Sequence, residues 1–344
     1  MVTIGIDAHK RNHTAVVVDE QGRQLAQTTT GTTSAEHLQL LAWAAEHAQV
    51  RLWAVEDCRH LSRRLERDLL TAGERIVRVP PKLMANARDG ARTFGKSDPI
   101  DALAVARAAL REPDLPTARL DGRDREVRLL VDHREDLVQE RTRMINRLRW
   151  HLHELDPGAE PAARSLKHLR NLDSLAVRLH GVEGLVARLA RGIIERCREL
   201  TVEIRKLEGE ITTLVTALAP SLLAICGCGA LTAAKIVGET AGIERFKSND
   251  AYARHNGTAP LPVWSSNRAR HRLSRSGNRQ LNAALHRIAL TQAQWHPDAK
   301  AMLARRKAQG DGGLEALRVL KRRLSDVVYR ALKADVATQL PLAA

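Results

Sequence analysis

Cysteine and aromatic residues are scarce in this chain of 344 residues. Its four cysteines are scattered, which excludes a disulfide framework, and the one-residue spacing of Cys226 and Cys228 does not suit a zinc knuckle. Aromatic residues make up 3%, so any core is built mainly from Leu, Ala, Val and Ile. No run approaches the roughly 18 apolar residues of a membrane span, and no secretory leader follows Met1. These absences predict a globular protein of a reducing cytoplasm with no membrane partner.

Loops that hold nucleotide phosphates are also missing. Gly5-Ile6-Asp7 is an opening that actin-like sugar kinases share, but they need two later glycine-rich phosphate loops, and the sequence contains neither these nor a P-loop. The sequence therefore argues against an ATP-dependent enzyme of either class.

Positive charge is abundant. Lys and Arg number 55 against 40 Asp and Glu, which gives a net charge of +15, and Arg outnumbers Lys by 44 to 11. Because the guanidinium fork matches phosphates and guanine edges bidentately, this balance predicts a nucleic-acid partner.

The first 105 residues or so alternate strand and helix patterns. One helix begins with a capping box, Thr33-x-x-Glu36. The order βββαβαβα is that of the ribonuclease-H-like sheet, in which the first and fourth strands lie side by side. The predicted elements are strands at 2–6, 13–18, 25–30, 52–55 and 76–79 and helices from 33, at 60–72 and at 102–110.

Four carboxylates lie at the ends of predicted strands or at the start of a predicted helix. Asp7 ends the first strand and Glu56 the fourth, so adjacent parallel strands present both at the carboxyl edge of the sheet. Asp98 and Asp101 precede an apolar helical run and are three residues apart, which allows both on one face of the first turn. Together they would suit a pair of Mg²⁺ ions for phosphodiester chemistry. Asp98-Pro99-x-Asp101 equally matches an ordinary helix N-terminus, so that interpretation stays open.

The middle of the chain is predicted to form long helices. An apolar stripe runs from Val127 to Leu155, and a second stripe steps by four and three residues from Ile193 to Leu218. This heptad spacing is typical of a coiled coil, which could close against residues 125–155 or against a second copy; we favour the dimer.

The C-terminal part carries two candidate DNA-binding features. A Gly-x-Gly turn at Gly227 and Gly229 joins two helices as in a helix–hairpin–helix, although an ordinary turn between helices fits equally well. A basic run at 268–281 suits a loop on a phosphate backbone, although such runs are often solvated faces. The candidate DNA-binding residues are Gly227, Gly229, Arg268, Arg270, His271, Arg272, Arg275, Asn278 and Arg279.

Taken together, these segments resemble the transposases of the insertion-sequence one-ten family, whose N-terminal DEDD domain is RuvC-like. The motifs that carry the resemblance are Gly5-Ile6-Asp7, Val55-Glu56-Asp57, Gly95-Lys96-Ser97-Asp98-Pro99-Ile100-Asp101-Ala102, Asn256-Gly257-Thr258-Ala259-Pro260 and the stretch 270–281.

The resemblance implies a magnesium-dependent DNA recombinase, with Mn²⁺ as a substitute ion and the four acids as its metal ligands. It assigns a serine nucleophile to Ser265. The family has Ser-Gly where this chain has Ser265-Ser266, so the register is open by one residue.

Domains and partners follow from the same resemblance. It implies a RuvC-like catalytic domain at 1–115, an oligomerising helical region at 122–219 and a mainly helical transposase domain at 220–340. It also implies dimers and tetramers, a structured non-coding guide RNA and a place in the cytoplasm at the nucleoid. A Holliday-junction resolvase, which needs no Ser265, and a non-catalytic nucleic-acid-binding protein, which leaves the four acids unexplained, are the alternatives.

Overall fold

A computed structural model describes residues 1–57, 59–89, 97–112, 115–159, 161–265, 268–273 and 277–339. They form two units, Met1–Gly122 with Glu244–Tyr252 and Arg123–Ile243 with Ala253–Ala344. Of the described helices, none is both long and apolar enough to cross a membrane.

The first unit is built on a five-stranded sheet. The strands are β1 (Val2–Ala8), β2 (His13–Val18), β3 (Gln24–Thr30), β4 (Arg51–Glu56) and β5 (Ile76–Val79). Their order in the sheet is β3-β2-β1-β4-β5. The pairs β1–β2 and β2–β3 are antiparallel, and the pairs β1–β4 and β4–β5 are parallel. The prediction that the first and fourth strands are neighbours is confirmed.

Four helices accompany this sheet: α1 (Ser34–His47), α2 (Arg59–Thr71), α3 (Pro81–Asp89) and α4 (Asp98–Arg111). The predicted Thr33–Glu36 capping box at the start of α1 is present, with both reciprocal hydrogen bonds. One face of the sheet contacts residues of α1 and α2, such as Leu40 and Leu65, and the other face contacts α4.

The alternation along β1 decides which side chains face α4. Ile4 and Ile6 are fully buried in the cluster with α1 and α2, so Gly5 and Asp7 point to the opposite face. A Cβ on Gly5 would lie 2.1 Å from the Ala102 carbonyl oxygen of α4. Glycine at this position therefore lets α4 approach the strand on which Asp7 lies.

The second unit is mainly helical, with one two-stranded sheet. Short 3₁₀ turns lie at Pro157–Ala159 and Ser165–Lys167, and a third, Ile243–Arg245, begins the segment 244–252 that is grouped with the first unit. The remaining elements of the chain are α5 (Arg123–Leu155), α6 (Leu169–Arg178), α7 (Leu185–Leu218), α8 (Pro220–Leu223), α9 (Ala230–Thr240), α10 (Asn249–His255), β6 (Pro260–Ser265), β7 (Arg268–Leu273), α11 (Arg279–Trp295), α12 (Pro297–Ala308) and α13 (Gly313–Gln339).

The heptad stripe of α7 packs against α5 of the same chain. Leu148 near the end of α5 packs with Ile194 near the start of α7, whereas Leu137 packs with Leu200 and Ile204, so the two helices are antiparallel. Each of these buried side chains contributes about 1.5–3 kcal/mol. The stripe is thus used within the chain, while the dimer that we favoured stays a prediction.

Helices on the two sides of the predicted boundary at 219/220 pack against each other, while the boundary itself stays a prediction. Helix α9 packs against both α5 and α7. The Gly227 turn before it packs on α11, because a Cβ there would lie 2.8 Å from the Thr291 side chain, and the Gln292 amide donates to the Cys226 carbonyl oxygen at 3.0 Å.

Candidate active site

Asp7 and Glu56 lie beside each other at the carboxyl ends of two parallel strands. The register pairs Ile6 with Val55, and one further step along both strands reaches Asp7 and Glu56. Asp7 is only 7% exposed, and Glu56 is the last residue of β4 and half-buried. The sheet therefore fixes both carboxyl groups on the face that α4 covers.

Helix α4 contributes the other two acids from its first turn. Its N-cap is Ser97, Asp98 is the first helical residue, and the Asp101 amide donates to the Ser97 carbonyl oxygen at 3.0 Å. Asp98 is thus not the capping residue that the ordinary helix-start interpretation requires. Asp101 is 7% exposed, which is unusual for an acid that merely complements a helix dipole.

The charges of the acids on α4 act on the two strand carboxyl groups. Burial raises the pKa of Asp7, and the charges of Asp101 and Asp98 raise it further, whereas His9 lowers it. Burial also raises the pKa of Glu56, with Asp7 and Asp101 adding to the effect. We call these four residues, Asp7, Glu56, Asp98 and Asp101, the acidic edge.

The donor set of the acidic edge fits a divalent cation. Like charges crowded at a half-buried place are unfavourable unless a cation neutralises them. Carboxylate oxygens are the donors that Mg²⁺ and Mn²⁺ take in proteins. One group within the described residues, Asp7, His9 and Asp98, brings its ligand atoms within 4.8 Å of one another.

His9 is a member of this group that the sequence analysis missed. It follows β1, where its amide donates to the Asn12 carbonyl oxygen at 3.0 Å. Its Nε2 lies 3.1 Å from Asp7 Oδ2 and 3.4 Å from Asp98 Oδ1. A histidine two residues after a strand-ending aspartate was the signal available in the sequence.

The predicted nucleophile lies on the hairpin formed by β6 and β7. Ser265 is the last residue of β6, and its Cα pairs with that of Arg268, the first residue of β7. The backbone register pairs Val263 with Arg270 and Leu261 with Arg272. His271 also lies on β7, while Ser266 and Arg275 lie outside the described residues.

The base of the hairpin is held by a buried polar network. Asn256 is fully buried; its amide donates to Ser325 Oγ at 2.7 Å, and its Oδ1 accepts from the amide and hydroxyl of Thr258. A Cβ on Gly277 would lie 2.3 Å from the Gly257 amide nitrogen, so the two ends of the hairpin segment approach closely. The family motif 256–260 thus has a structural role here.

Four of the predicted DNA-binding residues have described surroundings. Asn278 is the N-cap of α11, where its Oδ1 accepts from two amides and its Nδ2 donates to Glu239 at 2.7 Å. Gly227 packs on α11 as described above. Gly229 is the N-cap of α9, with nothing within 4 Å of an added Cβ, and Arg279 is exposed. The Asn278 side chain, by contrast, is engaged in hydrogen bonds within the fold.

A basic cavity of about 310 Å³ beside segment 257–260 was also missed by the sequence analysis. Lys321 in its wall is 7% exposed and donates to Asn282 Oδ1 at 2.5 Å. Besides residues 257–260, the cavity is lined by Arg306, Glu315, Arg318, Val319, Lys321 and Arg322.

Two family models match the chain. A DEDD model of the IS110 type, described as "Transposase", matches residues 4–157, and a model described as "Transposase IS116/IS110/IS902 family" matches residues 219–304.

Two curated proteins are similar over nearly their whole length. The chain is 29% identical over 380 aligned positions to the insertion element IS116 uncharacterized 44.8 kDa protein of Streptomyces clavuligerus, with 96% of this chain and 94% of that protein covered. It is 25% identical over 395 positions to the insertion element IS900 uncharacterized 42 kDa protein of Mycobacterium paratuberculosis, with 96% of each covered.

One solved structure, T. thermophilus RuvC in complex with a Holliday junction substrate, matches 34% of this chain and 99% of its own, with 16% identity and a TM-score of 0.28. A score this low adds nothing to the strand order described above.

Proposed function

This chain belongs to the IS116/IS110/IS902 family of transposases, and we propose that it moves its own insertion element by cutting and rejoining DNA strands at the acidic edge and at Ser265. The observation that carries the proposal is the convergence of Asp7, Glu56, Asp98 and Asp101 on one face of a ribonuclease-H-like sheet. A half-buried cluster of like charges is costly to the fold, so its presence favours a role in binding a cation.

The acids of the edge would hold Mg²⁺, with Mn²⁺ as a substitute. Divalent ions at such a place neutralise charge on a reacting phosphate and lower the pKa of bound water. The chain's own contribution is rigidity: Asp7 and Glu56 are fixed by strand register, and Asp101 by the first turn of α4. These positions set by the fold favour a site that is already formed before DNA binds.

Ser265 is the proposed nucleophile for strand rejoining. Its hydroxyl oxygen would form a bond to a DNA phosphorus while the bond from that phosphorus to a deoxyribose oxygen breaks, and the serine proton passes to the leaving oxygen. The phosphoserine keeps the bond energy, so a second strand can be joined without ATP. Arginines at 268, 270 and 272 support this role, because positive charge stabilises the phosphorane-like transition state.

Nucleic-acid partners follow from the charge of +15. We propose contacts from Gly229, Arg279 and the basic run 268–275 to the DNA of the element ends and target. The proposal also includes a structured guide RNA and dimers and tetramers joined through α7. It keeps the three domains at 1–115, 122–219 and 220–340, and a place at the nucleoid in the cytoplasm. Sequencing the RNA that co-purifies with the protein tests the guide.

Trapping a covalent adduct tests the nucleophile. We expect the full chain, incubated with Mg²⁺ and a nicked substrate carrying the element ends, to give a protein–DNA adduct that survives denaturation. Ser265→Ala should abolish the adduct, and Ser266→Ala, the matched control, should retain it.

The other outcomes separate the alternatives. An adduct lost only in Ser266→Ala moves the nucleophile by one residue. Magnesium-dependent cleavage without any adduct points to a resolvase-like endonuclease, and binding without cleavage points to a non-catalytic binding protein.

A further inference from the structure

His9 lies between two carboxylates that come from different elements. Asp7 belongs to β1 and Asp98 to α4, and the Nε2 atom of His9 is 3.1 Å from an oxygen of the first and 3.4 Å from an oxygen of the second. The side chain of His9 is 45% exposed, so it is not held there by a core. One imidazole nitrogen therefore faces both acids from the solvent side.

These separations suit atoms that share one ion, and the shorter one is also a hydrogen-bond distance. Two ligands bound side by side to a cation at about 2.1 Å are about 3 Å apart, and opposite ligands are about 4.2 Å apart. The three ligand atoms of Asp7, His9 and Asp98 lie within 4.8 Å of one another. A cation among them would need only small adjustments of the more exposed side chains, His9 and Asp98.

We propose that His9 Nε2 is itself a ligand of the divalent cation, so that the site takes one nitrogen donor with its carboxylate oxygens. This inference rests on the proposed metal-binding function of the acidic edge and adds a residue and a metal preference to it. Imidazole is a better ligand for Mn²⁺, Co²⁺ and later ions than for Mg²⁺. His9 therefore shifts the preference of the site toward Mn²⁺ and Co²⁺.

A hydrogen-bonding role for His9 gives a different expectation. If the imidazole only oriented Asp7, a glutamine, whose side-chain amide reaches about as far as Nε2, would preserve much of the effect. Glutamine cannot supply an imidazole nitrogen to a metal. His9→Gln thus separates metal ligation from positioning, and His9→Asn is the second variant if the first is unstable.

Pulsed electron paramagnetic resonance on the Mn²⁺-loaded full chain tests the proposal directly. We expect modulation from a directly bound ¹⁴N nucleus in the natural protein and its loss in His9→Gln. Titration by the same method should show Mn²⁺ binding weakened by about tenfold or more, with Mg²⁺ competition changed less. His47→Gln is the matched control, because His47 is exposed on α1, which packs on the opposite face of the sheet.

The outcomes distinguish this inference from the function on which it rests. Bound Mn²⁺ without nitrogen coupling, or coupling that persists in His9→Gln, overturns the role of His9 and leaves the carboxylate site standing. A natural protein that binds no Mn²⁺ overturns both. Thermal melts in EDTA verify that each variant is folded.

Discussion

The acidic edge and the β6–β7 hairpin are held in place by different interactions. Asp7 and Glu56 lie on neighbouring strands within a five-stranded sheet that is covered by helices on both faces. The hairpin is a two-stranded sheet whose base is fixed by the fully buried Asn256 and the close approach of Gly277 to Gly257. In the first region the polar residues strain the fold through crowded charge, whereas in the second they stabilise it through hydrogen bonds.

Replacing one acid of the acidic edge by its neutral amide should have the largest effect on strand cleavage. We expect Asp7→Asn or Glu56→Gln to lower strand cleavage by about a thousandfold or more, because ligands of one site act as a unit. Since the raised pKa values show that the ionised forms are disfavoured in the fold, the same changes should raise stability at pH 7 in EDTA. Cleavage assays and denaturant melts on the same samples measure both.

Unchanged cleavage in either variant would contradict a metal-ligand role for that residue. A matched change in the hairpin network, Asn256→Ala, should instead lower stability, because it leaves buried partners unpaired.

Adding one methyl group tests the close approaches in both regions. Gly5→Ala places a Cβ 2.1 Å from a backbone oxygen of α4, and Gly277→Ala places one 2.3 Å from a backbone nitrogen. Because backbone atoms must move, each should cost about 3 kcal/mol or more.

Gly209→Ala, in an exposed part of α7 with nothing within 4 Å of an added Cβ, is the control and should stabilise the protein by up to about 1 kcal/mol. Urea titrations give the three values, and a neutral Gly5→Ala would refute the packing of α4 on β1.

Acid should destabilise the first unit through His13. Burial, with smaller effects from His37 and His9, lowers the pKa of His13 to about 4. The unfolded chain takes up the proton near pH 6.5 while the folded chain resists it to about 4. The contribution of His13 to the free energy of unfolding is therefore complete above the unfolded pKa and declines as pH falls from about 6.5 to about 4. The total loss is at most about 3 kcal/mol.

The measurement is the difference in free energy of unfolding between the natural protein and His13→Asn over pH 4–7.5. Taking the difference removes the opposite contribution of Asp7 and Glu56, whose raised pKa values make stability fall as pH rises. A pH-independent difference would contradict the shift.

The smallest expected effects concern two adjacent residues, of which one is a predicted DNA contact and the other a helix cap. The slope of log K for DNA binding against log salt concentration should be about −5 or steeper, and Arg279→Gln should make it shallower by about one. Asn278→Ala should leave the affinity for DNA unchanged and lower stability by about 1 kcal/mol, because it removes the N-cap of α11. Binding isotherms at several salt concentrations and thermal melts report these quantities, and weaker DNA binding by a folded Asn278→Ala variant would show that Asn278 contacts DNA.

Local patterns were sufficient for much of the first unit. The alternating strands, the Thr33–Glu36 box and the parallel crossovers were readable because each depends on neighbouring residues and on the fixed geometry of βαβ connections. The same patterns placed Asp7 and Glu56 at one edge.

Packing between distant segments decided the rest. The stripe on α7 has the same spacing whether its partner is α5 or a second copy, so the spacing could not select α5, whereas the antiparallel contacts of Leu148 with Ile194 do. The sequence places His9 close to Asp7, but its approach to Asp98 depends on α4 bringing that residue to the end of β1. The sequence predicts Asn278 as a DNA contact, and only the tertiary structure shows that its side chain caps α11 and donates to Glu239. Periodicity is encoded in adjacent residues, but the choice of partner depends on which surfaces meet when the chain folds.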